Sequence, residues 1–143
     1  MKELRTEIEI QASAEKVWKA LTELEKYPEW NPFICHAIGK AEIGKTVDID
    51  FQPDSKGMKL HCTVARFQPN RELSWKYHVM HPMVFRGEHI FTIEPLGENR
   101  IRFIDREEFY GLLVPLQAKD IGTNTKRGFE SMDKALKARA EQN

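Results

Sequence analysis

The chain has 143 residues, 41% hydrophobic and 31% charged, enough to bury one substantial core as a single domain over 1–143. Its 22 basic and 22 acidic residues cancel, so no global field draws it to nucleic acid or anionic lipid, and no basic stripe or nucleic-acid-binding module is found. No apolar run approaches the ~20 residues that span a bilayer. Residues 1–7 carry acids where a signal peptide has an apolar core, so a cytoplasmic location is expected.

Residues 4–10 alternate weakly, Thr6, Ile8 and Ile10 against Arg5, Glu7 and Glu9, as a half-buried strand does. Ser13 then suits a helix N-cap, with Glu15 in the first turn where the helix dipole favours an acid. Val17, Trp18, Leu21 and Leu24 recur at helical spacing and predict a short amphipathic helix. Tyr27-Pro28-Glu29-Trp30-Asn31-Pro32-Phe33 should end it. Each proline lacks an N–H and disfavours helix in the residue before it, so a turn is expected that still delivers Trp30 and Phe33 to an apolar surface.

From Phe33 the period changes to two. Residues 34–38, 47–51, 60–67, 73–79, 84–93 and 101–109 read as strands, separated by turn chemistry at Glu42-Ile43-Gly44, Pro53-Asp54-Ser55-Lys56-Gly57, Pro69-Asn70-Arg71-Glu72, His81-Pro82 and Leu96-Gly97-Glu98-Asn99. Short connections make consecutive strands antiparallel neighbours, and the first strand brings the sheet to about seven. Cys35 and Cys62 sit among strand-like residues and are expected to be buried thiols rather than a disulfide. Helical period then returns: Ile121, Thr125, Phe129, Met132, Leu136 and Ala140 share a face, while Lys126, Glu130, Lys134 and Lys137 point away. Gly128 lies inside this long helix at a cost of ~1 kcal/mol relative to alanine, so it marks either close backbone packing or a tolerated defect. The order is α+β, and a curved sheet around one long helix leaves room for a ligand between them.

Ala14-x-x-Val17-Trp18-x-x-Leu21 followed by Tyr27-x-x-Trp30-Asn31-Pro32 resembles the opening of the START-like (SRPBCC, helix-grip) superfamily. Leu73-Ser74-Trp75, Gly87-Glu88-His89-x-Phe91, Glu107-x-Phe109-x-Gly111 and Gly128-Phe129-Glu130-x-Met132 extend the resemblance nearly end to end, toward small bacterial proteins of the polyketide cyclase/dehydrase type. The resemblance implies a helix-grip fold: a curved antiparallel sheet wrapped around a long C-terminal helix, with an internal cavity for an apolar molecule. Fold-level analogy of this kind names no ligand.

His89 and Glu107 form the sharpest constellation. If the hairpin through Gly97 pairs Ile93 with Phe103, then Phe91 faces Asp105 and His89 faces Glu107, on the face marked apolar by Phe91, Phe103 and Phe109. The pair serves either as a general acid and base on an apolar substrate or as a mutually satisfied buried hydrogen-bonded pair. No catalytic residue is assigned beyond that alternative. Trp75 and Tyr77 share a strand face and suit flat walls with a hydrogen-bonding phenol, while Phe129 and Met132 face the same space from the helix. Trp30 and Phe33 either guard the mouth or anchor the corner. Leu112-Leu113-Val114-Pro115-Leu116 reads as part helix start and part cavity opening, or as a self-association patch. Arg100, Arg102 and Arg106 alternate outward, and His61, His78 and His81 read as surface or loop histidines. His78-x-x-His81 and Cys35-His36 lack the second half of a metal site, and no phosphate loop or nucleophile elbow is present, so no metal or cofactor is expected.

The function expected is binding of a small hydrophobic or aromatic ligand through Trp30, Phe33, Trp75, Tyr77, His89, Phe91, Phe103, Glu107, Phe109, Phe129 and Met132. A cyclase or dehydrase using His89 and Glu107 is one alternative, and a protein-interaction module is another. Sheet edges and the 112–116 stretch are candidate surfaces for a homodimer.

Overall fold

Alternating side chains and short turns assemble a seven-stranded antiparallel sheet in the computed structural model, which describes residues 1–51 and 58–142. The strands are β1 (Lys2–Ile10), β2 (Ile34–Gly39), β3 (Thr46–Phe51), β4 (Met58–Gln68), β5 (Glu72–Val79), β6 (Phe85–Gly97) and β7 (Arg100–Tyr110). Their order is β1-β7-β6-β5-β4-β3-β2, a meander whose last strand is covered by the first. The turn expected at 53–57 lies outside the described residues. Register shifts between Ile34 and His36, Val64 and Arg66, and Pro95 and Gly97 mark bulges, which bend strands and increase twist. The sheet curls into a half-barrel.

Cys35 falls in the first of these bulges and is half-exposed, where a buried thiol was expected. Cys62 on β4 is buried, its thiol pushed up to about 12 by that burial. The two are free thiols on strands that β3 separates.

The helix α1 (Ala14–Thr22) begins at Ser13, whose Oγ accepts from the Lys16 N–H at 3.2 Å, and buries Val17, Ala20 and Leu21. It ends at Thr22, before the proline corner. A 3-10 turn (Leu24–Lys26) and a one-turn helix α2 (Tyr27–Trp30) follow, so the corner departs from the expectation of a plain helix terminator. Pro28 occupies the first turn of α2, where its missing N–H removes no helical bond. The turn itself is made by Asn31, whose buried Oδ1 accepts from the N–H groups of Phe33 and Ile34 at 3.0 and 2.8 Å. Tyr27 is wholly buried and donates to the Leu21 carbonyl at 2.6 Å.

The C-terminal helical run is unbroken for 27 residues: α3 (Val114–Asp120), a π-helical turn (Ile121–Thr125) and α4 (Lys126–Ala140). The expected face is the buried one, with Ile121, Phe129, Met132, Leu136 and Ala140 buried and Thr125 half-buried. Gly128 marks close packing, because a Cβ there would overlap the Phe33 ring. On the convex face, Arg100–Glu9, Arg102–Glu94 and Arg106–Glu108 pair at 3.2, 2.8 and 2.9 Å. The first two are exposed and contribute at most about 1 kcal/mol each, while Arg106–Glu108 is half-buried.

Candidate functional site

The β6–β7 hairpin is joined by a tight turn after Gly97, and its pairing puts Ile93 opposite Phe103, Phe91 opposite Asp105 and His89 opposite Glu107. Alternation then carries Asp105 and Glu107 to the concave face with Phe103 and Phe109. Between that face and the α3 and π-helical segments lies a cavity of about 380 Å³. Trp75, Tyr77 and Val79 of β5 form one wall, and Ile49 and Phe51 of β3 with Leu60 of β4 form another. Leu113, Ile121 and Thr125 close the helix side.

Of the eleven side chains expected at the ligand wall, Phe33, Trp75, Tyr77, His89, Glu107 and Phe109 line this cavity. Trp30, Phe91, Phe103, Phe129 and Met132 do not. Trp30 is half-buried against the edge of the Tyr27 ring. The other four are core: Phe91 stacks on Phe103, Phe129 stacks on His89 at 4.7 Å between ring centres, and Met132 is wholly buried. Phe91 and Phe103 lie on the concave face and Phe129 and Met132 on the α4 face that packs directly on the sheet, so no space remains between them. In the 112–116 stretch, Leu112 and Leu116 are exposed, Leu113 lines the cavity and Val114 begins α3. The Leu112 and Leu113 N–H groups donate to the Met83 and Val84 carbonyls at 3.1 Å, fastening this segment to the β5–β6 connection beside the mouth.

A chain of buried polar groups runs inward from the cavity. Tyr77 Oη donates to Glu107 Oε2 at 2.5 Å, and Glu107 Oε1 faces His89 Nδ1 at 3.3 Å. His89 Nε2 meets Asp105 Oδ1 at 2.6 Å, Asp105 lies beside Asp133 of α4, and Asp133 Oδ2 accepts from Thr6 of β1 at 2.6 Å. Asp105 Oδ2 and Asp133 Oδ1 are buried with no donor among the described residues, and one proton shared by the two adjacent carboxyls would satisfy both. Burial pushes Asp105 up to about 8 and Asp133 up to about 9, the second raised further by its neighbour. Glu107 is raised and His89 lowered, each mainly by burial. Desolvation disfavours every charged form here, so the cluster holds protons between its members rather than full charges on each.

Asp105 was expected only as a face-mate of Phe91, and Asp133 and Thr6 were not singled out. Asp133 carried a usable signal. It lies four residues after Phe129 and three before Leu136, so helical period places a carboxylate on the apolar stripe, where a partner is required. The tight approach of Tyr77 to β6 likewise depends on Gly87, where a Cβ would overlap the phenol.

Among the described residues no cluster of His, Cys, Asp and Glu has the arrangement of a metal site, and no helix is long and apolar enough to cross a membrane. No curated protein matches the chain by sequence. Solved structures share its fold at low identity. A START superfamily protein from Mycobacterium smegmatis is 23% identical with a TM-score of 0.80, covering 98% of this chain and 97% of its own. The Zhui aromatase/cyclase from Streptomyces sp. R1128 is 16% identical with a TM-score of 0.80, over 98% and 93%. A norcoclaurine synthase from Thalictrum is 13% identical with a TM-score of 0.74, over 97% and 93%. At such identities the likeness is one of fold. The family model described as polyketide cyclase / dehydrase and lipid transport matches residues 1–141, and on that match, with the helix-grip architecture above, the chain belongs to this family.

Proposed function

We propose that the protein binds a small hydrophobic ligand in the cavity between the sheet and the α3 and π-helical segments, to carry or sequester it. The observation that carries this reading is the cavity itself, about 380 Å³ with largely apolar and aromatic walls, polar groups at Tyr77, His89 and Glu107 on the sheet, and Gln117, Asp120 and Thr125 on the helix side. Small-molecule sites have this make-up, at ~300–1,000 Å³ with few and localised polar groups. Native mass spectrometry of gently purified protein should show a copurified apolar molecule, or the empty protein should bind Nile red with an enhanced emission. A protein that carries nothing and leaves the dye emission unchanged sinks the reading.

An acid–base enzyme of the cyclase or dehydrase type is the second reading, favoured by the contact of the Tyr77–Glu107–His89 chain with the cavity. In it Tyr77 and Glu107 touch the substrate. His89 also reaches the cavity wall, with Nε2 bonded to Asp105, Nδ1 3.3 Å from Glu107 and one ring face covered by Phe129. Turnover of a polyketone should then fall at least ~100-fold in Tyr77→Phe and Glu107→Gln at unchanged melting temperature. Undiminished turnover in both variants removes this reading.

A further inference from the structure

We infer that the cavity selects an apolar molecule ending in a hydroxyl, a phenol or an alcohol, and rejects one ending in a carboxylate. The inference rests on the cavity-binding reading above and adds the chemical class of the ligand's polar end.

The first ground is charge. Among the described residues, no lysine or arginine lines the cavity, and its ionisable side chains are Tyr77, His89, Glu107 and Asp120. The cluster behind the wall does not supply a positive charge either. Glu107, His89, Asp105 and Asp133 meet in three contacts, and each contact takes one proton. Three carboxylates and an imidazole ring stripped of its N–H carry four negative charges, so three shared protons leave the cluster with one. A carboxylate drawn into this cavity would lose its water and meet a like charge, with no cation among the described lining residues to offset either cost.

The second ground is the direction of the hydrogen bonds. The Tyr77 hydroxyl proton is committed to Glu107 Oε2. Glu107 Oε1 faces His89 Nδ1 at 3.3 Å, so a proton held there lies between two protein groups. What Tyr77 and Glu107 have left to offer the cavity is lone pairs, on the phenol oxygen and on the carboxyl oxygens. A carbonyl or ether oxygen brings no proton to them. A hydroxyl does, and it enters an apolar space at lower desolvation cost than an ammonium.

The test uses three compounds with one apolar body: 2-naphthol, its methyl ether 2-methoxynaphthalene, and 2-naphthoate, titrated at pH 7 against Nile red bound to the whole protein. Naphthol should bind about tenfold more tightly than the ether, as one buried hydrogen bond to a carboxyl gives, and naphthoate at least tenfold more weakly than the ether. Glu107→Gln and Tyr77→Phe, both close in shape to the original, should each shrink the naphthol preference. Equal binding of naphthol and ether, or naphthoate as the tightest of the three, overturns the selectivity while leaving cavity binding in place. Failure of all three compounds and of Nile red overturns both.

Discussion

Asp133 and Asp105 set the pH response of the fold. Their folded pKa values, about 9 and about 8, lie above the ordinary carboxylate value of 3.8, so the native chain holds more protons than the unfolded chain across that window. The stability this contributes is complete below about pH 4 and is lost as pH rises through about 8 to 9. His89 acts in the opposite sense: burial lowers it below 6.5, so stability also falls as acid protonates the unfolded chain first. The pair shares its proton and titrates as one unit. The urea midpoint should therefore fall between about pH 6.5 and pH 9, on the order of 1 kcal/mol per pH unit for one proton. In D133N the amide can donate to Asp105 without a titrating proton, so the slope over that range should flatten. Parallel pH profiles for the two proteins would remove the shared proton. At Gly87 the expectation is steric: Gly87→Ala drives a methyl into the Tyr77 phenol, breaks its bond to Glu107 and should cost ~1–3 kcal/mol in denaturation.

At the scale of elements, two glycines in the C-terminal helical run predict opposite outcomes. Alanine at either position gains up to ~1 kcal/mol of helix propensity. At Gly128 the added methyl meets the Phe33 ring, itself held edge-on between Phe51 and Phe129, so overpacking of ~1–3 kcal/mol should win and Gly128→Ala should lower the melting temperature. At Gly122, in the π-helical turn, no atom lies near the added methyl, so Gly122→Ala should be neutral or stabilise by ~0.5–1 kcal/mol. Thermal melts of the two variants side by side test this, and a shared sign would contradict the packing assigned to one of them. The long helix was legible from Ile121 onward because its stripe kept a helical period across the π-helical turn and α4, whereas α3 lay in the 112–116 stretch and beyond, read only in part as a helix start. The π-helical turn inside it was not, since nothing in Ile121-Gly122-Thr123-Asn124-Thr125 breaks that period.

Across the whole molecule, the cavity exists because the curled sheet and the helical run part company toward α3 while α4 stays in contact with β1 and β7. A ligand that fills it binds the native chain alone, so 2-naphthol at 100 times its dissociation constant should raise stability by ~2.7 kcal/mol. A melting temperature indifferent to ligand at that excess would mean that the molecule binds elsewhere or binds the unfolded chain as well. The sequence by itself determined the meander and the helix faces, and made the pairing of His89 with Glu107 conditional on the register through Gly97, which the structure has. Those features depend on period and on one short turn, and a tight hairpin leaves a single register that keeps the apolar residues on one side. Only the tertiary structure decided that β1 closes on β7, that Thr6 and Asp133 complete the buried cluster, and that Phe91 and Phe103 are core while Phe109 lines the cavity. Thr6 and Asp133 are 127 residues apart in the chain, and no local preference encodes their contact. It forms because each carries a polar group toward an apolar interior, where few partners are within reach.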